Sequence, residues 1–440
     1  MNPRLLSAAG LAALAAALVA FGEPPEAGLA TAARIGGQDC IACHQVEGIA
    51  PTQIAEYRNS RHYVEGVGCV DCHWAGADDP DALEHYGSTI AIIVSPRDCG
   101  ECHAREASEF SASHHAQAGR ILGSLDNVLG EVVEGIPAAT SGCRQCHGSR
   151  VRVLENGRLD PTTWPNTGIG RINTDGSEGS CTACHSRHRF SVAVARRPES
   201  CGRCHLGPDH PQKEVYDESK HGIAFYRAVD EMNLDSLEWV LGRDYTAAPT
   251  CATCHMSATP ELPVSHDIGE RISWTLRPAI SRRLENWEER RGRMQQVCAQ
   301  CHSPAYVRAF YTQFDAAVEL YNSKFAEPAT AIMGRLREAE AITPTPFDDE
   351  IEWTYFFLWH HEGRRARHGA SMMGPDYTQW HGFYEVAHRF YIEFVPEAEH
   401  LLPGVTEEFL SSEDHRWFRE GLSEEDRRRI EEFYRRRYQQ

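Results

Sequence analysis

The chain has 440 residues, 41% of them hydrophobic, and its 63 acidic and 44 basic side chains leave a formal charge of −19. This length allows one large domain or two ordinary ones with a real core. The negative balance excludes nucleic acid as a partner.

Residues 1–32 come first in chain order. Arg4 precedes an Ala/Leu run from Leu5 to Phe21, followed by Gly22, Pro24, Pro25 and small residues from Ala30. This pattern predicts a cleaved secretory signal and hence a periplasmic protein. Because the apolar run approaches the minimum for a membrane span, an uncleaved anchor is the alternative.

All sixteen cysteines fall in Cys-x-x-Cys-His runs, so none remains for a disulfide or a free thiol. In order, the motifs are Cys40/Cys43/His44, Cys69/Cys72/His73, Cys99/Cys102/His103, Cys143/Cys146/His147, Cys181/Cys184/His185, Cys201/Cys204/His205, Cys251/Cys254/His255 and Cys298/Cys301/His302. Two thiols at this spacing add to the two vinyl groups of one haem, and the imidazole that follows reaches the iron. Zinc pairs do not require a histidine directly after the second cysteine, so the repeated histidine argues against zinc. The expectation is eight covalently bound haem c groups. Bacteria complete this attachment outside the cytoplasmic membrane, in agreement with the N-terminal signal.

The intervals between motifs are too short for separately folded domains, so haem faces must form much of the interior of residues 33–303. A repeat runs through this region. An aromatic residue, two others, then Ser-x-His occur as Tyr57 to His62, Phe110 to His115 and Tyr216 to His221. We read these histidines as projecting from turns towards haem irons; the bland alternative is a coincidence of surface histidines.

From residue 304 to 440 the pattern becomes helical. Phe310, Phe314, Ala317, Val318 and Tyr321 share one helical face before Pro328, which is expected to interrupt it. An aromatic segment, Trp353 to Trp359, leads into His360 and His361, and a last helix is expected from Ser423, with Asp426 three residues on. The predicted fold class is mostly α, with a haem-packed N-terminal region and a long-helix C-terminal domain.

Eight proximal histidines leave fifteen of the twenty-three for other work. The distal candidates are His62, His85, His115, His188, His221, His266 and one of the pair His360/His361, with His361 carried forward. A bis-histidine iron only passes electrons, whereas a substrate needs an open position. The fourth haem is the candidate open site, because no histidine lies between His147 and Cys181 and the stretch Trp164 to Arg171 reads as loose and polar. Met372 and Met373 are read as core rather than ligands.

The chain also resembles the octahaem hydroxylamine oxidoreductase family. The likeness spans nearly the whole mature chain and rests on the eight motifs in this order. It also rests on Gly207-Pro208-Asp209-His210-Pro211-Gln212, Ser219-Lys220-His221-Gly222, His266-Asp267 with Arg271-Ile272-Ser273-Trp274, and Gly374 to Gly382. The resemblance implies a homotrimer whose fourth haem binds hydroxylamine and whose other seven haems pass electrons to a cytochrome c-type acceptor. It also implies a tyrosine from the neighbouring subunit cross-linked to the fourth haem. By motif that residue is Tyr377, with Tyr384 and Tyr391 as alternatives. The family's Asp-His pair maps to Asp209 and His210, and a pocket tyrosine maps to Tyr306. Structural alternatives are a loop cap for Asp209-His210 and a buried aromatic for Tyr377. The chain looks shorter than typical members, shows no hydrophobic C-terminal anchor, and is shortened between Ala341 and Glu350. Members without the cross-linking tyrosine look like reductases of nitrite or hydroxylamine. Tyr377 therefore favours oxidation of hydroxylamine to nitric oxide or nitrite. A hydrazine dehydrogenase, a reductase of the same family, and a plain electron wire are the other readings.

Overall fold

The computed structural model describes residues 40–121 and 128–438. The signal-peptide segment 1–32 lies outside the described residues.

The chain is mostly α-helical, with two small antiparallel hairpins, Leu83–His85 with Ser88–Ile90 and Trp274–Thr275 with Arg282–Arg283. Up to about residue 303 the helices are short, and attachment motifs lie on single turns such as Cys69–His73, Cys143–His147 and Cys251–His255. Spacing explains this, since residues i, i+3 and i+4 of a helix share one face. Backbone bonds from His103 to Cys99 (2.8 Å), His205 to Cys201 (2.9 Å) and His302 to Cys298 (2.9 Å) close those turns. Each turn therefore presents two thiols and an imidazole to the same side.

The aromatic–Ser-x-His repeat has a local cause. A helix ends at the aromatic residue and Ser restarts the chain: Ser60 Oγ accepts from the Tyr63 N–H (3.1 Å) and Ser219 Oγ from the Gly222 N–H (3.0 Å), each capping a new helix. His62 and His221 thus sit in the first turn of a new helix rather than on an irregular turn. The third copy differs, because Ser113 Oγ donates to the Phe110 carbonyl (2.6 Å) and His115 follows in a turn. In the first hairpin, Tyr86 and Gly87 both have positive φ, the conformation of a tight two-residue turn, and His85 ends the strand beside it.

Beyond residue 303 the helices are longer and enclose an aliphatic and aromatic core that includes Tyr321, Ile332, Met333, Leu336, Ile351, Phe390 and Phe394, all fully buried. Pro328 does not interrupt this region. The helix Pro304–Tyr321 passes through a π turn, Asn322–Ala326, directly into Glu327–Glu338. A π turn shifts the hydrogen-bond register, and Pro328 stands in the first turn of the helix that follows, where a missing N–H is tolerated. Pro396 repeats the device after Arg389–Phe394. The last helix, Glu424–Tyr438, starts as expected, with Ser423 Oγ accepting from the Asp426 N–H (3.1 Å).

The two regions share the helix Pro304–Tyr321. Its first part packs Val307, Tyr311, Phe314 and Val318 on Trp274 and Leu276, while Tyr321 belongs to the C-terminal core. Asp315 on this helix takes both Arg291 guanidinium nitrogens at 2.7 Å and the Trp274 indole N–H at 2.8 Å.

Candidate haem cavity and substrate site

The proximal histidines of all eight motifs line one connected cavity of about 2540 Å³. Cysteines of different motifs meet along it. Cys40 lies by Cys69, Cys72 by Cys99, and Cys99 by Cys181. Cys184 and Cys251 both neighbour Cys201, and Cys254 neighbours Cys298. The fourth motif joins this line at one point, where Cys146 meets Cys204 of the sixth.

Three of the sixteen attachment cysteines do not line the cavity, namely Cys43, Cys143 and Cys301. This corrects the expectation that every motif turns both thiols to a shared space. Cys43 is half-buried and Cys301 is exposed. They are the second cysteines of the first and last motifs, at the two ends of the line, and no further motif lies beyond them to wall the space in. Cys143 is set apart by its own segment, because its sulfur packs beside Gly130, where an added Cβ would meet it at 3.4 Å. Each of the three still shares a motif turn with a cysteine and a histidine that do border the cavity, Cys40 with His44, Cys146 with His147 and Cys298 with His302.

Across the cavity, six proximal imidazoles face a second imidazole. The ring-centroid separations are 6.0 Å for His44 and His85, 6.4 Å for His73 and His188, and 6.1 Å for His103 and His62. They are 6.4 Å for His185 and His266, 5.9 Å for His205 and His115, and 6.0 Å for His302 and His221. Two metal–nitrogen bonds of about 2 Å plus two ring radii of about 1 Å give roughly 6 Å, so an iron fits between each pair. The Nδ1 atoms of His62, His115, His188 and His266 are buried without a protein hydrogen-bond partner, which suits groups oriented by a cofactor rather than by the chain. At the proximal side of the second motif, the His73 ring pairs through Nδ1 with the Ala91 carbonyl at 2.8 Å, directing Nε2 to the cavity. The residues present therefore fit covalent haem.

His361 is not brought to the cavity. It packs against Phe356 and Phe357, with centroids at 5.5 and 5.0 Å, in the helical region. Its neighbour His360 is buried, stacks on Phe356 at 4.2 Å and holds its Nε2 at 2.9 Å from Arg364 Nη1. Met372 and Met373 border the cavity rather than the core, and Met373 is exposed.

His147 of the fourth motif shares its part of the cavity with Trp164, Thr167, Ile169, Asp209 and His210. The stretch Trp164 to Arg171 is tightly packed, not loose. A Cβ on Gly168 would lie 2.0 Å from the Gly148 backbone nitrogen, so only glycine permits this approach. Arg171 is buried, donating to the Val94 carbonyl at 3.0 Å.

Asp209 and His210 form a bonded pair, His210 Nδ1 to Asp209 Oδ1 at 2.6 Å. The other carboxylate oxygen accepts from Arg364 Nη1 at 3.1 Å, and His360 Nε2 lies 3.9 Å from it. Burial pushes the Asp209 carboxyl up, but His210, His360 and Arg364 outweigh it and hold the group well below the usual carboxylate range. With Asp209 ionised, His210 carries its proton on Nδ1 and turns Nε2 away from the carboxylate, ready to accept. His360, Arg364 and a third residue, His368, recur at four-residue spacing, a helical stripe laid against the 205–212 segment. His368 contacts Gln212 through its ring. Neither Arg364 nor His368 nor Gln212 was singled out by motif chemistry, although the four-residue recurrence is visible in the sequence.

The tyrosines fall in different places. Tyr377 is half-buried beside His381 (5.6 Å) and does not line the cavity of its own chain. Tyr384 is exposed. Tyr391 is 4% exposed and pairs with His415 through its hydroxyl at 2.8 Å in the helical core, which removes it as a cross-linking candidate. Tyr306 stacks on His302 at 4.8 Å and reaches the Met373 sulfur at 3.5 Å. It therefore stands at the eighth motif, three steps along the cysteine line from the fourth, and not in the fourth motif's pocket.

Comparison with known proteins follows this geometry. A family model described as seven times multi-haem cytochrome CxxCH matches residues 170–344, a cytochrome c3 model matches 93–206, and a cytochrome c554 and c-prime model matches 26–74. A probable nitrite reductase-hydroxylamine oxidoreductase fusion protein of Kuenenia stuttgartiensis is 26% identical over 315 residues, covering 64% of this chain and 32% of that protein. The C-type polyheme cytochrome OmcB of Geobacter sulfurreducens is 27% identical over 201 residues, 36% of this chain and 26% of its own length. The chain thus spans about a third or less of these curated relatives. Among solved structures, a hypothetical multiheme protein aligns with TM-score 0.72 and 23% identity, covering 84% of this chain and 96% of that one. A reducing HAO-like protein complex of Kuenenia stuttgartiensis gives 0.61 and 19%, covering 85% and 87%. At such identities the structural matches establish the fold.

Proposed function

The chain is a multihaem c-type cytochrome, and on that premise we propose that it is a redox enzyme, exported to the periplasm, that oxidises hydroxylamine to nitric oxide or nitrite beside His147. Eight haems are attached, the fourth open to substrate and the others passing electrons to a cytochrome c-type acceptor. The haem iron, when bound, supplies the position that holds the substrate nitrogen and receives its electrons.

The observation that carries this reading is the Asp209–His210 pair, facing the same part of the cavity as His147. Oxidation of hydroxylamine releases protons together with electrons. His210 accepts at Nε2 while Asp209 fixes its tautomer and stabilises the charge, and Arg364 keeps Asp209 from taking the proton itself. A plain electron wire has no use for such a pair. Asp209→Asn or His210→Gln is expected to cut turnover by about 10²–10⁴-fold while a haemochrome assay still finds eight haems per chain. Near-normal turnover in either variant returns the pair to a loop-capping role.

A homotrimer would let Tyr377, which lies outside its own chain's cavity, reach a neighbouring fourth haem and cross-link to it. Tyr377→Phe is then expected to abolish a covalent inter-chain link seen on denaturing gels and to shift activity towards reduction. The reductive reading draws on the relative whose name joins nitrite reductase to hydroxylamine oxidoreductase. Hydroxylamine and hydrazine oxidation with cytochrome c as acceptor, measured beside nitrite reduction with a low-potential donor, decides substrate and direction.

A further inference from the structure

Gln212 opens the helix Gln212–Glu218 and joins two groups from distant parts of the chain. Its Oε1 lies 3.3 Å from Nδ1 of His205, the proximal histidine of the sixth motif, and its Nε2 lies 3.3 Å from His368 Nδ1. The backbone holds it there, since the Gln212 N–H donates to the His210 carbonyl at 2.8 Å and the Lys213 N–H to the His205 carbonyl at 3.0 Å.

The direction of these bonds follows from chemistry. An imidazole bound to iron through Nε2 carries a proton on Nδ1, so it needs an acceptor, and the Gln212 carbonyl oxygen provides one. The amide NH₂ must then point at His368, which accepts only if neutral. A protonated His368 would set donor against donor. Burial, followed by the nearby Arg367, His210 and Arg364, holds His368 well below the usual histidine range, in agreement with that requirement. Another proximal histidine, His73, is served differently, by the Ala91 backbone carbonyl.

We infer that Gln212, oriented by His368, is a positioning residue that sets the reduction potential of the haem on Cys201, Cys204 and His205. A stronger acceptor at Nδ1 makes the imidazole a better donor to iron and stabilises the oxidised form, whereas loss of the acceptor does the opposite. The location gives this bond leverage. Cys204 meets Cys146 and Cys201 meets Cys251, so the sixth haem is the junction between the fourth and the rest of the line. The inference rests on haem attachment alone and stands whichever substrate is used.

The test is a spectroelectrochemical titration of the holoprotein, with low-spin paramagnetic resonance signals followed in parallel. Gln212→Glu is expected to lower the midpoint potential of one haem, and Gln212→Leu to raise that of the same haem, with eight haems retained and the other midpoints unmoved. If the Leu variant does not mature, His368→Phe takes its place and must raise the same midpoint, with His368→Asn restoring it through its own amide oxygen. Shifts of the same sign in the Glu and Leu (or Phe) variants, or no shift in either, overturn the assignment. A merely structural role would move both the same way or neither.

Discussion

The segments before and after residue 303 solve the same problem by opposite means. In the first, short turns surround a cavity of about 2540 Å³ and many of the large side chains at its wall are imidazoles. In the second, long helices bury Phe390, Phe394, Ile332, Met333 and Leu336 completely. One region depends on covalent and coordinate bonds to a prosthetic group, the other on removing apolar surface from water. A multihaem interior therefore gives up ordinary packing, and the helical region supplies a rigid body against which the 205–212 segment can be set.

Withholding haem should break the comparison most completely. A chain produced without haem attachment is expected to lose amide protection throughout residues 40–303, while amides within 325–398 stay protected in hydrogen exchange. Equal loss in both regions would show that the helical core also depends on haem. Phe390→Ala should act in the reverse sense, removing about 3–5 kcal/mol from the helical region. In denaturant titrations the far-ultraviolet signal of that region should shift while the haem absorption midpoint stays in place.

The smallest expected effect concerns pH. Burial, then nearby Lys324, lowers the pKa of His415, whose ring accepts from the Tyr391 hydroxyl in the core. The unfolded imidazole titrates near about 6.5, so below that pH the unfolded chain binds a proton that the folded chain refuses. The contribution is complete above about pH 6.5 and is lost as pH falls below it, by less than about 1 kcal/mol. His415→Gln should flatten this slope in acid denaturation of the helical region and leave the haem region's profile unchanged.

What could be read from sequence follows the range of the interaction. Attachment motifs are complete within five residues, and the Ser-x-His repeat works through a cap that closes within three, so both leave local patterns. Which thiols border the common cavity is not local, since Cys43 and Cys301 are set apart by their place at the ends of a line that only the folded chain defines. His85 and His266 were reachable by counting because few histidines compete for each gap. Gln212, Arg364 and His368 have no such pattern, since 155 or 156 residues separate the two halves of their site and only docking of one region on the other joins them. Pro328 misled for a related reason, as the π turn that accommodates it depends on how the neighbouring helices pack. His361 and Tyr306 were drawn from resemblance and spacing, which cannot tell which of two adjacent histidines turns inward or which motif a tyrosine faces.

The four-residue stripe of His360, Arg364 and His368 also imposes an order of events. A nascent chain that has emerged only as far as its eighth motif already holds every attachment sequence, yet Asp209 has no guanidinium to keep it ionised and Gln212 has no imidazole to orient it. The groups that would handle protons are therefore completed last. A truncated or still-emerging chain can be loaded with cofactor without yet having a finished reaction site, which keeps half-made protein from reactive nitrogen chemistry.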